Sequence, residues 1–136
     1  MTLWCADTSV VVPAVLTSHQ AHPAVLGQLG RKQVRLPLHA AIESYSVLTR
    51  LPGDARLTPA DAALLLHDRF GQPIELPSGG GIGLLQALAD LRLAGGAVYD
   101  ALIAVTAKEA AATLLTRDRR AAATYALIGV AHQFVG

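Results

Sequence analysis

The sequence predicts an α/β fold, a three-layer α/β/α sandwich around a central, mostly parallel sheet, with residues 1–136 forming one domain. Three observations predict it. Short apolar runs that read as strands alternate along the chain with longer stretches of helical period. The length of 136 residues, without a composition break, suffices for one core and is too small for two. The chain is 52% hydrophobic but only 4% aromatic, so that core is built mainly of Ala, Leu and Val packed between helices and strands. Strands connected through helices make right-handed crossovers, which leaves them parallel and covered on both faces.

The elements follow in order. Leu3 to Ala6 is a short apolar run ending at Asp7, and the hydroxyls of Thr8 and Ser9 precede Val10, Val11 and Val12, so a strand turns into a helix here. Pro13 is acceptable only near a helix start, which puts the beginning of the first helix close to it. A helical stretch from His19 to Gln28 ends at Gly30, Gln33 to Leu38 alternates into a second strand, and the next helix runs from about His39 to Leu51 before Pro52-Gly53. Thr58-Pro59-Ala60-Asp61 combines a capping hydroxyl, a proline at the first helical position and an acid in the first turn, opening a helix through Phe70. Pro73 to Leu76 is a candidate short strand. Gly79-Gly80-Gly81 precedes a helix from Ile82 to Leu93, which Gly95-Gly96 ends. Val98 to Ala112 is helical, Thr113 to Thr116 a strand, Arg119 to Leu127 helical, and Val130 to Val135 a last strand.

Charge excludes a simple electrostatic role. Eleven basic residues against ten acidic ones give a net charge of +1, so any nucleic-acid binding must rest on local basic clusters. The single cysteine, Cys5, lies in the apolar opening run without a disulfide partner, as expected of a buried thiol in a reducing, cytoplasmic setting. No secretory leader pattern is present, and charge, Gly or Pro breaks each apolar run before bilayer-spanning length, so neither secretion nor membrane insertion is expected.

The chemistry concentrates in four acids. In a parallel sheet, ligands bind beyond the carboxyl ends of the strands. Asp7 ends the first strand, Asp118 follows Thr113-Leu114-Leu115-Thr116, and Glu43 lies one turn into the helix after the second strand. Asp100 opens a helix whose neighbours are apolar on nearly every side, which predicts that it is buried. Each acid has an ordinary role available to it: helix cap, first-turn dipole partner, exposed helix residue or turn former. Four carboxylates sharing one cleft repel each other, and one or two divalent cations resolve that conflict. Mg²⁺ or Mn²⁺ suits a set of hard oxygen donors with no cysteine or histidine in it, and would hydrolyse a phosphodiester through activated water without a protein nucleophile.

The segments Ala6-Asp7-Thr8-Ser9-Val10, Ala40-Ala41-Ile42-Glu43, Tyr99-Asp100-Ala101-Leu102-Ile103-Ala104 and Leu114-Leu115-Thr116-Arg117-Asp118-Arg119 resemble, in order, the four signature blocks of PIN domains. The resemblance covers nearly the whole chain, and the size with nothing appended resembles VapC toxins of VapBC toxin–antitoxin pairs. It implies a central parallel sheet with an acidic pocket, dependence on Mg²⁺ or Mn²⁺, and endonucleolytic cleavage of RNA leaving a 3′-hydroxyl and a 5′-phosphate. It also implies that Asp7, Glu43, Asp100 and Asp118 are the catalytic, metal-binding acids, with Ser9 and Thr116 hydrogen-bonding them from behind. Many relatives carry a further acid two positions after the last one, where this chain has Arg120, so the number of ions stays open. A VapB-type antitoxin that inserts a basic side chain into the pocket, and a homodimer, are implied partners. The Ala/Leu-rich surface of Thr58 to Phe70 would suit a helix partner or a dimer mate.

Arg117, Arg119 and Arg120 flank Asp118 and are candidates to hold RNA phosphates, with a solvated helix start as the plain alternative. Arg50 is a weaker phosphate candidate; Arg31, Lys32 and Arg35 read as a solvated edge. His19 and His22 lack further zinc ligands, and His39, His67 and His132 read as structural. Gly79-Gly80-Gly81-Ile82-Gly83 lacks the Lys-Ser/Thr of a phosphate-binding loop. Trp4, Tyr45 and Tyr99 are too dispersed for a base-stacking platform. Two other classes remain: a catalytically silent PIN-like binding module, and a metal-dependent DNA nuclease or phosphatase, although the first block lacks the Asp-x-Asp of aspartyl phosphatases.

Overall fold

The computed structural model describes residues 2–136. Four parallel strands lie in the order β2-β1-β3-β4, formed by Leu3–Ala6 (β1), Val34–Arg35 (β2), Ala112–Thr116 (β3) and His132–Phe134 (β4). β1 and β3 are the central pair, in register from Leu3 opposite Ala112 to Ala6 opposite Leu115. Their carboxyl ends therefore finish side by side, and the acids that follow them emerge at one edge.

The period-two alternation of these strands divides the interior into two cores. Ala6 and Leu115 face a cluster built with Val10, Val11, Val25, Leu48, Leu66 and Phe70, from the helices Thr8–Val15 (α1), His22–Leu29 (α2), Leu38–Thr49 (α3) and Pro59–Phe70 (α4). Cys5, Ala112 and Leu114 face the opposite way, against Ile103, Ala104 and Ala107 of Ala97–Glu109 (α6) and Ala121 and Tyr125 of Arg119–Ile128 (α7). A short helix, Leu84–Asp90 (α5), leads into α6 and buries only Leu88. Helices thus cover both faces of the sheet. Alanines at the contacts bring the α6 and α7 backbones close to it, which explains how a chain poor in aromatics fills its interior.

Several elements differ from the sequence expectations. α1 begins at Thr8, directly after the strand, and carries Pro13 inside it. Asp7 caps the helix by accepting from the Ser9 amide, so the proline sits in its second turn, buried, where it deprives the Ser9 carbonyl of a donor. The second strand shrinks from six expected residues to two; beyond them Pro37, which has no amide hydrogen to give, makes a single bridge with Ile74. The expected strand Pro73 to Leu76 is reduced to that same bridge. α5 starts at Leu84 rather than Ile82, because Gly83 takes φ +80°, a left-handed conformation suited to glycine. α4 is capped by Thr58 as expected, but it turns Ala62, Leu66 and Phe70 into the core, so its main apolar stripe is spent inside the molecule. Among the described residues no helix is long and apolar enough to cross a membrane.

Cys5 is fully buried, and that burial pushes its thiol up to about 11. Native protein should therefore resist thiol reagents at neutral pH and react stoichiometrically only when unfolded. Rapid labelling of the native protein would show that β1 is not enclosed as described.

Candidate active site

The four acids singled out in the sequence line one cavity of about 100 Å³, together with Thr8, Ser9, Ile103 and Ala121. Strand ends and helix starts place them. Asp7 is the residue between β1 and α1, Asp118 the N-cap of α7, Asp100 lies in the first turn of α6, and Glu43 lies on α3 facing the same opening. The most buried of the acids is Asp7, 4% exposed, whereas Asp100 is half-buried; the apolar neighbours that predicted a buried Asp100 face the core while its own side chain reaches the cavity.

Asp7 is held at both oxygens. Its Oδ1 accepts from the Ser9 amide at 3.0 Å and from the Ser9 hydroxyl at 2.5 Å, and its Oδ2 accepts from the Tyr125 hydroxyl at 2.7 Å. Ser9 links the first acid to the last. Its Oγ also accepts from the Arg117 amide at 2.8 Å and lies 3.5 Å from Thr116 Oγ1, which in turn accepts from the Asp118 amide at 3.0 Å. Since the one Ser9 hydroxyl proton goes to Asp7, Thr116 is the donor in the pair of hydroxyls. Asp118 Oδ1 caps α7, accepting from the amides of Arg120 and Ala121 at 2.9 and 3.3 Å. The cap role and the site role thus fall to the same side chains, for Asp7 and for Asp118.

Glu43 is less constrained, with His39 Nε2 3.4 Å from its Oε1 across one helical turn. The His39 ring stacks on Tyr99, centroids 5.0 Å apart, and also borders a larger, more apolar hollow of about 350 Å³. The hollow is roomier, but the charged groups meet in the smaller cavity, and the chemistry belongs there.

Burial, followed by the charges of Asp118, Asp7 and Glu43, pushes the Asp100 carboxyl up from 3.8 to about 6, with His39 pulling the other way. Burial and the Asp7 carboxylate drive the Tyr125 phenol far above its ordinary range, so it stays a donor. The cavity therefore carries more negative charge than its surroundings stabilise. Its donors are hard carboxylate oxygens, and the Thr8 hydroxyl lining it is buried without a hydrogen-bond partner. This donor chemistry fits a divalent cation such as Mg²⁺. Among the described residues no group of three His, Cys, Asp or Glu side chains stands placed to hold an ion by itself, so water would have to supply much of the coordination, as Mg²⁺ commonly requires.

The three arginines are placed elsewhere. Arg117 lies against Gly136 with its Nε buried and unpartnered, and Arg119 covers the Phe134 ring at 4.6 Å. Arg120 is exposed, and none of the three lines the acidic cavity. Arg50 is exposed at the end of α3. At the solvated edge, Lys32 rests over the Trp4 ring and Arg35 bonds the Gln72 carbonyl. Two residues at the site escaped sequence reasoning. His39 carried a usable signal, its four-residue spacing from Glu43. Tyr125 carried none, since its phenol meets an acid 118 positions away only through the fold.

An acid-lined cavity at the carboxyl ends of parallel strands, covered by helices on both sides, defines the class. Residues 5–127 match the PIN domain, and the chain belongs to that family. Among curated proteins it is similar to ribonuclease VapC27 of Mycobacterium tuberculosis, at 50% identity over 124 residues, 91% of this chain and 90% of that protein. It is also similar to ribonuclease VapC40 of the same organism, at 44% identity over 130 residues, covering 95% and 96%. Of solved structures, VapBC2 from Rickettsia felis bound to a DNA fragment from their promoter matches with a TM-score of 0.69 at 16% identity, covering 98% of both chains. FitAcB from Neisseria gonorrhoeae matches at 0.63 and 20% identity, covering 97% and 96%; these two likenesses speak to the fold.

The raised Asp100 carboxyl has a consequence for stability. Ion-free folded protein binds that proton more tightly than the unfolded chain does, so Asp100 costs stability increasingly as pH rises from 3.8 to about 6. The Tm of Asp100→Asn should therefore gain on wild type across that window and remain higher at neutral pH without metal. A difference that stays flat with pH would contradict the crowding of charge described above.

Proposed function

We propose that the chain is a VapC endoribonuclease toxin that hydrolyses RNA phosphodiesters with Mg²⁺ or Mn²⁺ held by Asp7, Glu43, Asp100 and Asp118. The observation that carries this reading is the convergence of four carboxylates, remote in sequence, on a single small cavity. The half-identity to ribonuclease VapC27 over nine-tenths of the chain supports it.

A phosphodiester anion meets repulsion at this cavity unless cationic charge intervenes. When bound, the ion supplies that charge and acidifies water for attack. The chain's own residues supply position. Ser9 and Tyr125 hold Asp7, while Thr116 and the first amides of α7 hold the Asp118 turn. Glu43, tied to His39 across one helical turn, has more room to adjust as substrate enters than Asp7, which is held at both oxygens. The exposed Arg120 at the start of α7 can meet a backbone phosphate beside the cavity; Arg117, turned against Gly136, serves the fold instead.

The reading places the protein in the cytoplasm as one domain, paired with a VapB-type antitoxin. Its solved neighbours VapBC2 and FitAcB support such a partner. Exposed apolar side chains at Ile42, Leu64 and Leu85 support a further protein contact, which we assign to a homodimer.

Cleavage of a mixed RNA substrate should require Mg²⁺ or Mn²⁺, stop on chelation and resume when the ion is restored, with duplex DNA left intact. Asp7→Ala and Asp100→Ala should each lose at least about 100-fold in rate, the scale of deleting one group that stabilises transition-state charge. Equal cleavage by wild type and both variants would remove the acids from the mechanism.

A further inference from the structure

We infer that Tyr125 is a positioning residue for the cation site, locking Asp7 so that a single lone pair of its Oδ2 faces the cavity; this rests on the reading of that cavity as a cation site. A carboxylate oxygen accepts about two hydrogen bonds in its plane. Asp7 Oδ1 already accepts two, from the Ser9 amide and hydroxyl, and is filled. Oδ2 accepts one, from the Tyr125 hydroxyl at 2.7 Å, leaving one direction open. Asp7 is therefore prepared to act through one oxygen and one direction, and the tyrosine selects which.

The phenol is itself held firmly. Its ring is completely buried among Ile103, Ala104 and Ala121 and meets His132 edge-on at 6.0 Å between centroids. The bond joins the end of β1 to the last helix, so packing of α7 on the sheet is transmitted to the carboxylate. A tyrosine fully buried in an alanine-lined core has no solvent for its hydroxyl, and Asp7 is its hydrogen-bond partner. Phenylalanine would keep the ring packing and delete only this donor.

The test measures Mn²⁺ binding directly, by calorimetry and by the loss of free-ion magnetic resonance signal, for wild type, Tyr125→Phe and Asp7→Asn, without RNA. Removing a group that orients a ligand typically weakens metal affinity by about 10-fold or more, and that loss is expected for Tyr125→Phe. In cleavage assays the same variant should need correspondingly more Mn²⁺ for half-maximal rate, with most of the rate recovered at saturating ion. A purely structural role would lower the fraction of active protein without moving the half-saturating concentration. Wild-type affinity in Tyr125→Phe alongside a weakened Asp7→Asn would overturn the role of Tyr125 alone; no Mn²⁺ binding by wild type would overturn the cation site with it. Should Tyr125→Phe fail to fold, 3-fluorotyrosine incorporated throughout wild type reports the same contact. The resonance left after assigning Tyr45 and Tyr99 by their Phe variants should shift on adding Mg²⁺, and an unmoved resonance would overturn the inference.

Discussion

Four carboxylates crowd one small cavity, and no lysine or arginine lines it to balance them. That crowding is the constraint around which the fold is arranged. Burial, followed by the charges of Asp118, Asp7 and Glu43, raises the proton affinity of Asp100, and His39 opposes the shift. Such a site is costly to an ion-free protein and is tolerated because the surrounding core is well packed on both faces of the sheet. The same imbalance would make the cavity attractive to the hard divalent cation proposed for it, so that strain and proposed function would share one cause.

The sheet supplies the convergence. Because β1 and β3 are adjacent, parallel and in register, the residues just past their ends meet although they lie far apart in the sequence. Capping then orients what topology delivers. Asp7 and Asp118 are bound by the first amides of the helices that follow, so each carboxylate is fixed by backbone geometry before any side chain contributes. Ser9 adds the cross-link, joining Asp7 to the Arg117 amide and, through Thr116, to the turn that carries Asp118. The cap role leaves room for the proposed ligand role, since at Asp7 and Asp118 the cap interaction falls on Oδ1 and does not occupy Oδ2.

Much of this was legible in the sequence, and the limits are physical. Asp7 and Asp118 were recognisable because apolar strands stop abruptly before them, and Thr58 because a hydroxyl followed by proline marks a helix start. The second strand is shorter than its pattern because alternation from Gln33 to Leu38 shows which residues have a strand's pattern, not which find a neighbour; Pro37 makes only the single bridge to Ile74 and has no amide hydrogen to donate. Pro13 was misplaced because the rule that keeps proline near a helix start did not anticipate a strong cap at Asp7, which begins the helix five residues before the proline actually used. Tyr125 carries no local signal of a site role. Its contact with Asp7 depends on which strand lies under α7, information that no local pattern contains. Where the arginines around Asp118 point is not legible in the sequence: Arg117 and Arg119 turn toward the C-terminal edge, where Gly136 and Phe134 receive them.

Central to the proposed function is that these separated acids act together as one cation-binding unit. Anomalous X-ray scattering from crystals soaked in Mn²⁺ addresses it directly, because the signal locates the ion without reference to activity. A peak within the cavity, in contact with carboxylates contributed by both the β1 and β3 strand ends, is the predicted result. Crystals that take up manganese only at other surface positions, with this cavity empty at saturating concentration, would contradict it.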